Sequence, residues 1–163
     1  MYSPMMVGKK TLAHPTILRY CKMGLIMNIL NLGAGENPIT SAINIDIRLL
    51  QGINVVASVV RLPFQSRCFE KIFSHNPYDY NPVSKEIVEK LKLNGILMVT
   101  GQPRNQFIKD ILDMSGDELI ALGLEFVEKA PITSSLIIGT PKTTKGKPLS
   151  TKTMIQVIYR KIK

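Results

Sequence analysis

The side chains best suited to chemistry fall in two short stretches. The first is Gly33-Ala34-Gly35, followed at a distance by the lone acid Asp46. An apolar run from Ile26 to Leu32 stops at the glycines, and a second run, Ile43 to Ile47, carries the acid near its end. A strand, a glycine turn and a second strand ending in a carboxylate make one half of a nucleotide-binding crevice. The glycines accept φ > 0 and let backbone approach a ligand, and the carboxylate accepts hydrogen bonds from ribose hydroxyls. The second stretch is Ser74-His75-Asn76-Pro77-Tyr78-Asp79-Tyr80-Asn81-Pro82. It emerges at the carboxyl end of a strand, where open α/β sheets bind ligands, which makes Asn76 and Tyr78 site candidates. The same residues also read as a turn into a helix. Asn81 suits an N-cap, Pro82 suits the first helical position, and Val83, Ile87 and Leu91 then repeat on one face. His14, before Pro15, is a ligand, a base or an ordinary loop histidine. Cys21 and Cys68 make no metal-binding spacing and no disulfide framework, so no metal is expected, and a reducing, cytoplasmic setting is.

These residues need a scaffold, and the chain is long enough to supply one. Its 163 residues suit one domain with a sizeable core, and 45% apolar against 20% charged residues suits a globular chain. No apolar run approaches the ~20 residues of a membrane span, and no signal peptide is evident. Residues 1–25 read as a basic N-terminal segment, without periodicity over 1–10 and with a short helix from Pro15 to Lys22. Residues 26–163 read as the domain proper. Between the glycines and the second strand lie only Glu36 to Ala42, too short for a crossover helix of ~10 residues or more. Further strands are expected at Ile53–Val56, Phe69–Ser74, Ile96–Thr100, Leu124–Ala130 and Thr153–Tyr159, with a short apolar piece at Leu136–Ile138. Helices are expected from about Asn105 to Asp113 and from Asp117 to Leu122, the latter ended by Gly123. The fold class is α/β: a mostly parallel twisted sheet whose first crossover helix is shortened or absent.

The order of motifs resembles the class I S-adenosylmethionine-dependent methyltransferases, in a small branch like methyltransferase type 11. The likeness rests on Gly33-Ala34-Gly35, the short link, Asp46, Leu62-Pro63-Phe64, Phe69-Glu70-Lys71-Ile72 and Leu91-Lys92-Leu93-Asn94-Gly95. It covers roughly residues 26–130. It implies S-adenosyl-L-methionine as cofactor, a Rossmann-like sheet closed by an antiparallel hairpin, and cofactor contacts from Asn31, Gly33, Ala34, Gly35, Asp46, Ile47, Ser58, Leu62 and Asn76. Asn76-Pro77-Tyr78 resembles a shortened asparagine-proline-proline-tyrosine motif of amino-group methyltransferases, which makes these three residues the catalytic candidates. In such enzymes the Asn oxygen and a backbone carbonyl accept hydrogen bonds from the target NH₂, and the aromatic ring stacks on a flipped base. Two departures stand out. Ser58 replaces the acid that would bond the adenine amine, and Ile96 replaces a second glycine, with Asn94 suited to keep that turn. The segment is also similar to methyltransferase-like modules of bacterial polymorphic toxins, which would act on RNA and make His75 or Tyr78 suspects.

Charge divides the chain unevenly. Residues 1–27 hold four bases and no acid, 142–163 hold seven bases and no acid, and the middle holds ten bases against twelve acids. Lys142, Lys145 and Lys147 cluster in a loop from Pro141 to Pro148 and are the candidates for binding nucleic acid, RNA in particular, through phosphates. The alternative is a solubilising tail with a lysine-protected strand edge. Three functions stay open: methyl transfer to an amino group of a nucleobase or small molecule, a nucleotide- or RNA-binding module without turnover, and an RNA-directed toxin domain.

Overall fold

Side-chain alternation decides which way the central strands face. In a computed structural model, which describes residues 5–6, 28–132, 142–143 and 145–163, β2 (Ile29–Leu32) and β3 (Ile43–Asp46) pair in parallel, with Leu30 opposite Ile43, Asn31 opposite Asn44 and Leu32 opposite Ile45. Since the side-chain period is two, Leu30, Leu32, Ile43 and Ile45 share one face and Asn31, Asn44 and Asp46 the other. Both faces are buried, the first in the main apolar core and the second by polar contacts.

Around this pair the sheet extends in the order β1-β4-β3-β2-β5-β6-β8-β7. The flanking strands are β1 (Met5–Met6), β4 (Val55–Val56), β5 (Phe69–His75), β6 (Leu91–Gly101), β7 (Leu124–Pro131) and β8 (Ile155–Lys161). Among these strands the pairings are parallel except those of β8, which runs antiparallel to β6 and β7. The mostly parallel sheet with an antiparallel terminal hairpin is therefore present. The chain builds outward through β3 and β4, then returns to place β5 on the other side of β2, so the strand order reverses between β2 and β5. A sheet of this kind opens a crevice at the carboxyl ends beside such a reversal.

No helix joins β2 to β3 or β3 to β4. A parallel crossover normally uses a helix to cover the sheet and satisfy backbone groups. Here asparagine side chains satisfy them. Asn44 Oδ1 accepts from Asn31 Nδ2 at 2.9 Å and from the Ile39 N–H at 2.7 Å. Asn44 Nδ2 donates to the carbonyls of Ile39 and Ala42 and to Asn54 Oδ1. Asn31 Nδ2 also donates to the Asn37 carbonyl, and Asn54 Oδ1 accepts from the Asn44 N–H at 2.8 Å. The link from 33 to 42 is laced to the sheet.

Among the described residues three short helices contribute to the apolar core: α1 (Lys85–Lys90), α2 (Gln106–Leu112) and α3 (Gly116–Leu122). Asn105 and Ser115 cap α2 and α3, and Gly123 ends α3 with φ 82°. The start of α1 differs from expectation. Asn81 accepts from the Val83 N–H in a tight turn, and Ser84, in an extended conformation, is the N-cap. The last turn of α1 is held by Lys161, whose buried Nζ donates to the carbonyls of Val88 and Leu91 at 2.9 and 2.8 Å.

Other expectations shift as well. The turn at Asn94-Gly95 lies inside β6 at a register irregularity, with Asn94 at φ 63°, and the strand starts at Leu91 rather than Ile96. Only Val55 and Val56 of the third run form a strand, and Met5–Met6 of the aperiodic start forms another. The last strand lies two residues later than expected, at Ile155–Lys161. Cys68 is disulfide-bonded, which corrects the expectation of no disulfide. The helix expected over 15–22, His14, Cys21 and the piece at 136–138 lie outside the described residues. Among the described residues no helix is long and apolar enough to cross a membrane.

Asn44→Ala removes the centre of the asparagine network and takes the side-chain partner from the Ile39 N–H and the Ala42 carbonyl. It is expected to lower stability by about 2–4 kcal/mol, from one to two unsatisfied buried groups at ~1–3 kcal/mol each. Urea denaturation measures this, and a loss below about 0.5 kcal/mol would mean that water replaces the amide freely.

Candidate functional site

Glycine conformation opens the site. Gly33 and Gly35 have φ of 57° and 52°, a left-handed region costly for other residues. The turn is fixed from two sides. The Ala34 N–H donates to the Ile45 carbonyl at 2.9 Å, and the Gly35 N–H donates to Asp46 Oδ2 at 2.9 Å. Asp46 is buried, and Oδ1 accepts from the Arg48 N–H at 2.8 Å and from Arg48 Nε at 3.2 Å. A carboxylate has about four acceptor positions. Three are filled, and Oδ2 retains one for a hydroxyl.

Tyr80 packs beneath Gly33. A Cβ at Gly33 would lie 3.1 Å from the Tyr80 hydroxyl, so glycine gives this close approach room. That hydroxyl donates to the Leu32 carbonyl at 3.3 Å and shares a 2.7 Å hydrogen bond with Ser74 Oγ. Burial raises its pKa well above the ordinary tyrosine value, so it stays protonated. The end of β2, the end of β5 and the loop after β5 meet at this one ring.

These elements enclose a cavity of about 510 Å³ beside the strand-order reversal, within the usual range for small-molecule sites. Its walls include Asn31, Gly33, Ala34, Gly35, Asp46, Ile47, Ser58, Asn76, Pro77, Tyr78 and Lys142, so most of the site residues proposed from sequence share one space. Ile47, Val60 and Tyr78 are 74%, 66% and 72% exposed and place apolar surface on the cavity wall. The lining carboxylates are Glu36, Asp46 and Asp79, and the lining cations are Arg48 and Lys142.

Three residues proposed from the sequence lie elsewhere. Leu62 is buried in the core, and its N–H donates to Glu86 Oε1 at 2.8 Å, tying the Leu-Pro-Phe turn to α1. Lys145 and Lys147 are exposed and do not line the cavity. Their N–H groups donate to Thr143 Oγ1, and a bridge between Lys142 and Pro148 closes the loop base. Lys142 reaches back to Glu36, with Nζ 3.0 Å from Oε2. Lys142 and Thr143, at the base of the lysine loop, thus form part of the cavity wall. Asn31, though at the wall, commits its amide to Asn44 and the Asn37 carbonyl.

Asn76 has φ 45°, a conformation that asparagine tolerates better than most residues. Its Oδ1 accepts from Asn105 Nδ2 at 3.3 Å, and the Pro77 carbonyl accepts from the same nitrogen at 2.9 Å. His75 hydrogen-bonds Thr100 Oγ1 through Nδ1, while its Nε2 is buried without a partner. Desolvation lowers the His75 pKa below 6.5. Tyr80, Arg48, Glu36 and Asn105 were not singled out from the sequence as site residues. Only Arg48, two positions after the strand-end acid, carried a local signal.

No family model matches the sequence, and no curated protein does. Solved structures do. KamB, a 16S rRNA methyltransferase, superposes with a TM-score of 0.59 at 10% identity, over 83% of this chain and 87% of that one. The 16S rRNA (adenine(1408)-N(1))-methyltransferase of Catenulisporales acidiphilia, a variant crystallised with the cosubstrate SAM, gives 0.55 at 12% identity over 83% and 85%. A 30S ribosomal methyltransferase from an uncultured bacterium gives 0.54 at 15% identity over 82% and 87%. The chain has the class I methyltransferase fold.

The buried imidazole of His75 makes stability depend on pH. Between its lowered folded pKa and 6.5, the unfolded chain binds a proton that the folded chain refuses. Stability therefore rises with pH across that window and falls as pH drops through it. Denaturation midpoints near pH 7.5 and about pH 5.5 should differ less in His75→Gln than in the parent. An equal pH dependence in both proteins would contradict the assignment.

Proposed function

We propose that the cavity binds S-adenosyl-L-methionine and that the chain transfers a methyl group to an amino group, with a nucleobase of RNA as the favoured acceptor. One observation carries this reading. Four separated segments, 33–37, 46–48, 57–60 and 75–80, converge on a single cavity at the strand-order reversal of a class I methyltransferase fold. Two of the solved structures named above are 16S rRNA methyltransferases, one of them crystallised with SAM, and the third is a 30S ribosomal methyltransferase.

The residues present fit the cofactor. The glycine turn gives backbone access, and the spare position on Asp46 Oδ2 suits a ribose hydroxyl. Ile47 and Val60 offer apolar faces to an adenine ring, and Ser58 offers a hydroxyl near them. Three lining carboxylates against two cations leave one negative charge, which complements a ligand of net charge +1. When bound, the cofactor supplies a sulfonium methyl group: the N–CH₃ bond forms as the S–CH₃ bond breaks, leaving a neutral thioether, and the nitrogen loses a proton to water. The chain's part is to orient the amine through Asn76 Oδ1 and the Pro77 carbonyl and to stack the base on Tyr78. Lys142 lines the cavity, and it would hold phosphates of the acceptor together with Lys145 and Lys147 of the same loop. Ser58 in place of an acid favours a second reading, a nucleotide-binding module without turnover.

Calorimetric titration with S-adenosylhomocysteine tests the cofactor. Binding is expected, and Asp46→Asn should weaken it by about 1.5–3 kcal/mol, the scale of a hydrogen bond to a charged group. Absence of binding at millimolar ligand would overturn the proposal. The acceptor is tested by filter binding of RNA against salt. Replacing Lys142, Lys145 and Lys147 with Ala should flatten the log–log slope by roughly two units on single strands, at about 0.7 per phosphate. Parental binding at every salt concentration would direct the search to small-molecule acceptors.

A further inference from the structure

One side chain joins α2 to the Asn-Pro-Tyr loop. Asn105 Oδ1 accepts from the Phe107 and Ile108 N–H groups at 2.9 and 3.4 Å, the usual work of an N-cap. Its Nδ2 points the other way and donates to Asn76 Oδ1 at 3.3 Å and the Pro77 carbonyl at 2.9 Å. Those are the two oxygens to which the proposed function gives the acceptor's hydrogens. Asn76 and Pro77 line the cavity and Asn105 does not, so its bonds reach them from outside the cavity wall. Gly101 keeps this corner open: a Cβ there would lie 2.8 Å from Ile108 Cγ1 and 3.4 Å from Asn76 Oδ1.

We propose that Asn105 is a positioning residue, which holds Asn76 Oδ1 and the Pro77 carbonyl as a paired acceptor for a primary amino group. The inference rests on the methyltransferase reading above and narrows its acceptor. Each of these oxygens has two lone pairs, so a bond from Asn105 leaves one for a substrate. The pair already accepts from a single NH₂ group, that of Asn105 itself, so its spacing suits a nitrogen carrying two hydrogens. An unprotonated ring nitrogen has no hydrogen to give such a pair, and a hydroxyl has one. The structure therefore favours an exocyclic amine over a ring nitrogen such as the N1 named for one of the similar proteins.

The test separates capping from positioning. Asp and Ser cap helices about as well as Asn but lack the NH₂ donor. Asn105→Asp and Asn105→Ser should keep the melting temperature within a few degrees and S-adenosylhomocysteine affinity within threefold. The kcat for tritiated methyl transfer from S-adenosylmethionine to total RNA should fall at least tenfold, with KM for RNA nearly unchanged. In ¹⁵N spectra of the ligand-free chain, the Asn76 side-chain amide pair should move in both variants. Nuclease digestion of the parent's product should give a base methylated on its exocyclic nitrogen. Parental kcat in both variants, an unmoved Asn76 amide or a ring-methylated base would overturn this inference while leaving the methyltransferase reading intact. A parent that binds cofactor but transfers no methyl group would overturn both.

Discussion

The hydrogen bond from the Gly35 N–H to Asp46 Oδ2, 2.9 Å long, is the constraint on which the carboxyl edge of the sheet depends. It joins the turn after β2 to the end of β3 across a connection that has no helix. A buried carboxylate is costly unless its oxygens are bonded, and the donors here are the turn and Arg48. The same bonds that make the charge tolerable hold two left-handed glycines in place. Removing the carboxylate would take away one of the turn's two fixed points, and displacing the turn would leave Asp46 Oδ2 without its donor. The two features work as one unit.

The opposite wall follows the same economy. Tyr80 fastens the loop after β5 to the end of β2 through Leu32 and Ser74. Asn105 fastens the start of that loop to α2. Polar side chains do at several points what crossover helices do in larger sheets, and Asn31, Asn44, Asp46, Ser74 and Tyr80 are buried where they act. Such contacts are directional, so each fixes a position more sharply than apolar packing would. A cavity whose walls are set this way is preorganised, which is what positioning two reactants requires.

Local pattern made much of this legible in the sequence. The glycine turn and Asp46 lie at the ends of apolar runs, so their place at strand ends could be read directly. The short link after Gly35 announced a missing helix, and the caps at Asn105, Ser115 and Gly123 lie where local chemistry puts them. What escaped depends on partners distant in the chain. Lys161 reads as one more exposed base of a charged tail, yet its Nζ bonds carbonyls 70 and 73 residues away. Arg160 lies near Glu125 and Lys142 near Glu36, so the basic end is less free than its composition suggests. Leu62 belongs to a motif associated with cofactor binding but packs in the core, because Glu86 draws its backbone toward α1. Asn81 reads as a cap, but a turn closes on it first and passes the role to Ser84.

Under the proposed function, the turn bonded to Asp46 presents a cofactor site at the reversal between β2 and β5. The most direct measurement is a ¹H–¹⁵N NMR titration of the full chain with S-adenosylhomocysteine. Amide shifts should concentrate at residues 33–36, 46–48, 58–60 and 75–79, and the edge strand β7 should remain unmoved. Shifts confined to the lysine loop or spread along β7, or no shifts at millimolar ligand, would contradict it.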